Sequence, residues 1–200
     1  MNGKLKSLLA IDLLITSSYG LILPILPLFI IERISGANLM TVAIAQSIFL
    51  LSQAVFGWIY SSYLHHQATK VRAHGGLVAG SILVTLVPAV YLFSWEMSFI
   101  YLAQMMLGLG LGILYPSWTF LTKDSSETNH RPKIKKAHNL FLSISMALAA
   151  LLGGYVAYEY GFGLLVYMMI LIGLCGTVLS LVMWFSNPHP SPSRRVRGRG

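Results

Sequence analysis

One acidic side chain, Asp12, lies inside a long apolar segment of this sequence, where few other side chains could do chemistry. An ionisable group within hydrocarbon is costly, and such groups often serve proton or ion transfer. Asp12 is therefore a candidate proton-coupling residue. It lies only four residues after Leu8, where its segment begins, and it is close to Lys6. Exposure to water or pairing with a loop cation is the simpler explanation of its position.

The other polar groups within the apolar segments carry no fixed charge. Several of them recur at helical spacing and would share a helix face. Hydroxyl, amide and aromatic groups suit contact with an amphipathic or uncharged organic molecule, although hydrogen bonds between helices explain them equally simply. The candidate substrate-binding residues are Ser17, Tyr19, Gln46, Gln53, Gln104, Tyr115 and Trp118.

Catalysis and metal binding find no support in the sequence. The apolar segments contain no Ser–His pair, no paired carboxylates and no phosphate-binding loop. The six histidines show no helical His-x-x-x-His pattern and no supporting carboxylates. The single cysteine, Cys175, can form neither an intrachain disulfide nor a cysteine-based metal site. We expect no enzymatic activity, no cofactor and no bound metal.

Six apolar segments must position these residues, and their composition is that of a membrane protein. The chain is 56% hydrophobic and 10% charged, whereas soluble proteins carry roughly 25% charged residues. Each segment reaches the ~20 residues that an α-helix needs to cross a membrane. Long unbroken apolar runs favour helices over the short alternating strands of a barrel. The predicted spans are 8–31, 39–63, 75–95, 97–122, 138–158 and 161–185, which together form one domain, 1–185.

Charge predicts how these spans are oriented. Of the 14 Lys and Arg residues, all except Arg33 fall on one side of the predicted membrane. The positive-inside rule then predicts a multi-pass protein of the cytoplasmic (plasma) membrane with both termini in the cytoplasm. The net charge of +8 thus reflects topology rather than nucleic-acid binding. Residues 186–200, rich in Pro, Ser and Arg, predict a disordered basic tail, which could meet anionic membrane lipids.

The two halves of the chain contain similar strings. Gly20-Leu-Ile-Leu-Pro24 in the first span corresponds to Gly112-Ile-Leu-Tyr-Pro116 in the fourth. Three helices followed by three similar helices of opposite direction form a 3+3 inverted repeat. Because Gly and Pro are frequent in membrane helices, chance similarity is the alternative.

The extended string Gly20-Leu-Ile-Leu-Pro24-Ile-Leu-Pro27 resembles the first-helix signature of the major facilitator superfamily. The resemblance is closest to the drug:proton antiporter branch that includes tetracycline exporters. The run 102–112 resembles the fourth helix of that branch, and Ser145 to Gly154 resembles its fifth-helix motif. The resemblance covers all six segments and implies an all-α membrane fold that corresponds to the N-terminal, six-helix half of a facilitator. It also implies that the first, second, fourth and fifth helices line a substrate cavity.

The loop between the second and third spans resembles the gating loop of this superfamily, with departures. Gly57 occupies a motif position, but Ser61 stands where the family has Asp, and His65 and His66 replace its basic pair. In the first helix, Asp12 lies about one turn before the acidic position of the branch. The candidate gating-loop residues are Gly57, Ser61, His65, His66, Lys70 and Arg72.

The resemblance implies a half-size secondary transporter that moves a small organic solute by alternating access, as an antiporter for efflux. One six-helix half provides half a cavity, so we expect a parallel homodimer or a second six-helix subunit as partner. The strong charge bias argues against an antiparallel dimer. The alternative is a non-transporting membrane scaffold or accessory subunit, such as the partner half of a heteromeric transporter or a decayed facilitator fragment.

Overall fold

The computed structural model describes residues 3–66, 69–125 and 131–186, and within these ranges every regular element is helical. Long apolar runs without strand-like alternation account for this, because a helix satisfies its own backbone hydrogen bonds. The all-helical class predicted from the sequence is therefore confirmed for the described residues. The helices are α1 Gly3–Gly20, α2 Leu26–Arg33, α3 Leu39–His66, α4 Lys70–Leu92, α5 Met97–Ser125 and α6 Arg131–Ser186.

Four stretches of the described residues are long and apolar enough to cross a membrane. They are Leu39–His66, Lys70–Leu92, Met97–Lys123 and Lys136–Ser186. The last of these, at 51 residues, contains both of the final two predicted spans. The first predicted span is divided between α1 and α2.

A proline-containing turn separates α1 from α2. Residues 21–25 leave the helix, and the Ile25 amide bonds instead to the Ile22 carbonyl oxygen at 3.0 Å. Pro24 has no N–H to donate and disfavours helical geometry in the residue before it. Pro27 lies in the first turn of α2, where a missing N–H costs nothing. Pro24, one of the two prolines that carry the family resemblance, therefore also breaks the first helix.

The long helix α6 reverses direction at Gly161. This residue has φ 79° and ψ 170°, a backbone conformation essentially restricted to glycine. Before Gly161, later residues of α6 contact later residues of α1, so the two segments are parallel. After Gly161, later residues of α6 contact earlier residues of α1, so the direction is reversed. These contacts join His138 to Asp12, Ala149 to Gly20, Gly153 to Leu21, then Met169 to Ser18 and Gly176 to Ile15. The segments α6a (131–160) and α6b (162–186) are thus an antiparallel helical hairpin around α1.

Small residues let the helices pack closely. A Cβ on Gly108 of α5 would lie 2.5 Å from the Phe49 carbonyl oxygen of α3, and one on Gly80 of α4 would lie 2.8 Å from the Gly110 carbonyl oxygen of α5. Neither position has room for a side chain, so backbone-to-backbone contact fixes the α3–α5 and α4–α5 interfaces. Hydroxyl pairs join α4 to α6b: Ser81 to Ser180 at 2.9 Å and Thr85 to Thr177 at 2.8 Å.

The basic residues gather at one end of the bundle, called here the basic end. There, the start of α1 contacts the C-terminal end of α5 and the start of α6a. The end of α3 contacts the start of α4 at the same end of the bundle. At the opposite end, the Arg33 guanidinium lies 5.3 Å from the centre of the Trp95 ring. The cations of the basic end whose side chains the structure describes are Lys4, Lys6, Lys70, Arg72, Lys123 and Lys136.

Candidate functional site

Asp12 is buried and paired. Its Oδ2 accepts a hydrogen bond of 2.8 Å from His138 Nε2, and each of the two side chains is 3% exposed. Asp12 comes from α1 and His138 from the first part of α6a, which runs parallel to α1. Exposure to water therefore does not explain the position of Asp12, whereas pairing with a nearby basic side chain does.

Trp118 of α5 covers this pair. Its ring stacks on the His138 imidazole, with 4.7 Å between ring centres and 24° between planes. Its Nε1–H donates to the Leu8 carbonyl oxygen at 3.1 Å, which fixes the indole against α1. A large aromatic ring over the pair excludes water, and charges interact more strongly where water is excluded.

A second group of oxygens continues inward along α1. Asp12, Thr16 and Tyr19 share one face of the helix, and the hydroxyls of Tyr19 and Tyr115 share a hydrogen bond of 2.9 Å. Asp12 Oδ1 and Thr16 Oγ1 are buried without a hydrogen-bond partner among the described residues. Such buried atoms call for an explanation, and one is a bound water or ion. We name Asp12, Thr16, Tyr19, Tyr115, Trp118 and His138 the polar cluster.

A cavity of about 800 Å³ lies between the C-terminal halves of α3 and α5 and opens at the basic end. Gly57 and Gly112 allow the two helices to approach here. Tyr115 belongs both to the cavity wall and to the polar cluster, so it connects the two. The cavity is lined by Gln53, Ala54, Gly57, Ser61, Ser62, Leu64, His65, His66, Leu111, Gly112, Tyr115, Pro116, Thr119, Phe120 and Lys123.

The structure brings together part of the residue set predicted from the sequence. The cavity wall includes the predicted residues Gln53, Gly57, Ser61, His65, His66 and Tyr115, whereas Tyr19, Trp118 and Asp12 belong to the polar cluster. The remaining predicted substrate-binding residues lie outside both groups. Gln104 is buried and donates to the Tyr91 hydroxyl at 3.1 Å, which joins α5 to α4. Ser17 and Gln46 are half-buried and are not among the residues that line the cavity.

The predicted gating loop contacts α3 at Arg72, where the loop leads into α4. The Tyr60 hydroxyl donates to the Arg72 carbonyl oxygen at 2.9 Å, and the Arg72 guanidinium lies 5.0 Å from the centre of the Tyr63 ring. Lys70 is exposed at the first position of α4. A hydrogen bond from Tyr60 and a cation–π contact with Tyr63, on either side of Ser61 in sequence, therefore hold the start of α4 against α3.

Sequence reasoning missed His138 as the partner of Asp12. A signal was present, because a buried carboxylate requires a partner. Asp12 lies near the start of the first predicted span and His138 begins the fifth, and both spans start at the same predicted membrane side. The cavity residues Ser62, Thr119 and Lys123 carried no comparable signal in the sequence.

The comparison with protein families agrees with this architecture. The family model described as Major Facilitator Superfamily matches residues 8–200. The chain therefore belongs to this superfamily and is an integral membrane protein, and the members of the superfamily are transporters rather than enzymes. A search of curated proteins found no match to the chain.

Proposed function

We propose that this chain is a secondary transporter that moves a small organic solute by alternating access, with the cavity between α3 and α5 as the solute site. The observation that carries the proposal is the double position of Tyr115, in the cavity wall and in the buried polar cluster. The cavity volume of about 800 Å³ lies in the range of roughly 300–1,000 Å³ typical of small-molecule sites.

The polar cluster supplies the proposed coupling to protons, in the manner of an antiporter for efflux. Protonation of Asp12 removes the carboxylate charge that holds His138, and release of the proton restores that charge. Tyr19 and Tyr115 connect this event to the cavity wall, because a solute that moves the Tyr115 hydroxyl also moves its 2.9 Å bond to Tyr19. Solute and proton would then bias the same contact between α1, α5 and α6a, which is what coupling requires.

We propose six spans arranged as a 3+3 inverted repeat, with α1 and α2 as one broken span and α6a and α6b as two. The reversal at Gly161 supports the count. The repeat is supported by Thr85 and Thr177, which bond to each other across 92 residues of sequence. The same separation of 92 residues relates Gly20 to Gly112 and Gly57 to Ala149. Gly20 contacts Ala149, and the equivalent residues Gly112 and Gly57 also contact each other. Such reciprocal contacts are typical of two halves related by a two-fold axis.

A second copy of the chain in parallel orientation is the partner that we propose for the open side of the cavity. Its support is the exposed apolar face of α3, where Leu51 and Trp58 are 66% and 74% exposed and Gly57 of the cavity lies beside Trp58. The concentration of Lys and Arg at the basic end favours a parallel arrangement with that end in the cytoplasm. A separate six-helix subunit in the same orientation is the other partner of this kind. Native mass spectrometry from lipid nanodiscs separates them, since a homodimer has twice the chain mass of 22.0 kDa.

Uptake by proteoliposomes tests the transport proposal. A panel of small amphipathic solutes is offered to the wild-type protein, and the transported member is then offered to Tyr115→Phe. We expect the variant to transport more slowly, because it loses the hydroxyl that joins cavity and cluster. Tyr101→Phe, a half-buried tyrosine of the same helix that does not line the cavity, is the matched control. Equal rates for the two variants would contradict the assigned site.

A further inference from the structure

We infer that the cavity between α3 and α5 takes an organic anion, with a carboxylate, sulfonate or phosphate group on an apolar body. The inference deepens the proposed function and rests on it for the assumption that the cavity holds a solute. The sign of the charge on the solute is the new element, because no sequence motif of the chain indicates it.

Every polar side chain that lines the described cavity wall can donate a hydrogen bond. The exposed side chains of Lys123, His65 and His66 line the cavity near the ends of α5 and α3, and Ser61 and Ser62 line it about one turn earlier in α3. A neutral imidazole offers one N–H donor, a protonated one offers two, and an ammonium offers three. No Asp or Glu is among the described residues that line the cavity. Among these described residues an organic cation would find no carboxylate, whereas an anion would find several hydrogen-bond donors.

The nearest carboxylate of the polar cluster does not reverse this balance. Asp12 lies on the other side of Tyr115, is almost completely buried and is paired with His138. Its charge therefore has a partner of its own and does not face the cavity.

The remaining wall is apolar and defines the body of the solute. Leu111, Pro116 and Phe120 of α5 and Ala54 of α3 line the cavity together with the ring of Tyr115. An anionic group at the basic end with an apolar or aromatic portion against this wall satisfies both halves of the lining. Hydrogen bonds from cationic donors to such a group are roughly twice as strong as neutral ones.

Three probes with one apolar body and different charges test the inference: 4-butylbenzenesulfonate, 4-butylbenzyl alcohol and 4-butylphenyltrimethylammonium. Binding of each is measured to the protein in phosphatidylcholine nanodiscs, with empty nanodiscs as the background. We expect the sulfonate to bind about tenfold or more tightly than the alcohol, as one charge-assisted contact allows, and the ammonium to bind weakest. Equal binding of all three would overturn the inference, because the cations would then serve only the ends of their helices and the membrane surface.

Variants of the cavity wall test whether the sulfonate binds in this cavity. Lys123→Gln and the double variant His65→Gln, His66→Gln should each weaken sulfonate binding, while Lys136→Gln, an exposed cation of the same end outside the cavity wall, should not. Ala54→Trp should fill the cavity and reduce binding of the sulfonate to background. Sulfonate affinity that survives Ala54→Trp in a folded protein would overturn the assignment to this cavity.

The readout also separates this inference from the proposed function. Charge-selective binding without transport of the sulfonate into proteoliposomes, or of any other anion offered, would leave the inference standing and contradict the transporter. Transport of an organic cation through a cavity that rejects the sulfonate would contradict the inference and support the transporter.

Discussion

Replacement of His138 by Ala tests whether the buried, hydrogen-bonded pair of Asp12 and His138 holds α1 against α6a. The side chains of His138 and Asp12 are each 3% exposed, and 2.8 Å separates Nε2 from Oδ2. Loss of one member of such a pair leaves the other buried without compensation, which costs ~3–5 kcal/mol. Because both groups are almost fully buried, solvent does not screen the interaction as it does for surface pairs. We expect His138→Ala to lower the free energy of unfolding by about this amount.

A double-mutant cycle separates the charge from the packing. Asp12→Asn added to His138→Ala removes the uncompensated charge, so the double variant should recover a large part of the lost stability, with a coupling of ~1–3 kcal/mol. The matched control is His65→Ala, an exposed histidine of the same end, which should change stability by less than ~0.5 kcal/mol.

Unfolding by sodium dodecyl sulfate in mixed micelles, followed by tryptophan fluorescence, measures these free energies. Trp118 stacks on the His138 ring, so its emission should also report the loss of the imidazole directly. Additive effects of the two substitutions would refute the pair as a source of stability. A decrease in the free energy of unfolding for His138→Ala no larger than that for His65→Ala would refute it as well.

Two further predictions concern glycines of α6. Gly153→Ala should destabilise the protein by ~1–3 kcal/mol, since a Cβ there meets the Leu21 carbonyl oxygen and overpacking costs this much; Gly154→Ala, with open space around its Cβ, should be neutral or stabilising by up to ~1 kcal/mol. A cost for Gly154→Ala equal to that of its neighbour, in the same unfolding assay, would contradict the α1–α6a contact. Gly161→Ala should lower the thermal unfolding midpoint at a cost of ~1–3 kcal/mol, because φ 79° with ψ 170° strains any side-chain-bearing residue, whereas Gly163→Ala in open space should not; equal midpoints would contradict the reversal at this residue.

The helical class and the family could be predicted because they depend on features that are local in sequence. Apolar runs of spanning length require helices in a membrane, and the string from Gly20 to Pro27 carries the family resemblance within eight positions. The same string contains Pro24, which divides the first predicted span, an effect that hydropathy alone does not register. The six-span count, the repeat, the antiporter branch and the dimer stay predictions.

The candidate site was only partly predictable, because hydropathy does not give the rotation of one helix against another. Gln53 and Gln104 are both amides within apolar segments, yet Gln53 faces the cavity while Gln104 is buried against Tyr91. Which of these happens depends on close contacts such as that between Gly57 and Gly112, which set how α3 and α5 face each other. The pairing of Asp12 with His138 likewise requires knowing that α1 and α6a are neighbours.

Proton movement driven by solute is the most direct test of the transporter, because the cavity and the polar cluster must act together to produce it. Proteoliposomes that enclose a pH-sensitive dye receive each solute of the panel, 4-butylbenzenesulfonate included, with wild-type protein, Asp12→Asn or Glu159→Gln. Glu159 is an exposed carboxylate at the opposite end of the bundle and controls for the loss of an acid. We predict that a transported solute moves protons with the wild type and with Glu159→Gln but not with Asp12→Asn. Proton movement that persists in Asp12→Asn, or that no solute of the panel produces in the wild type, would contradict the proposal.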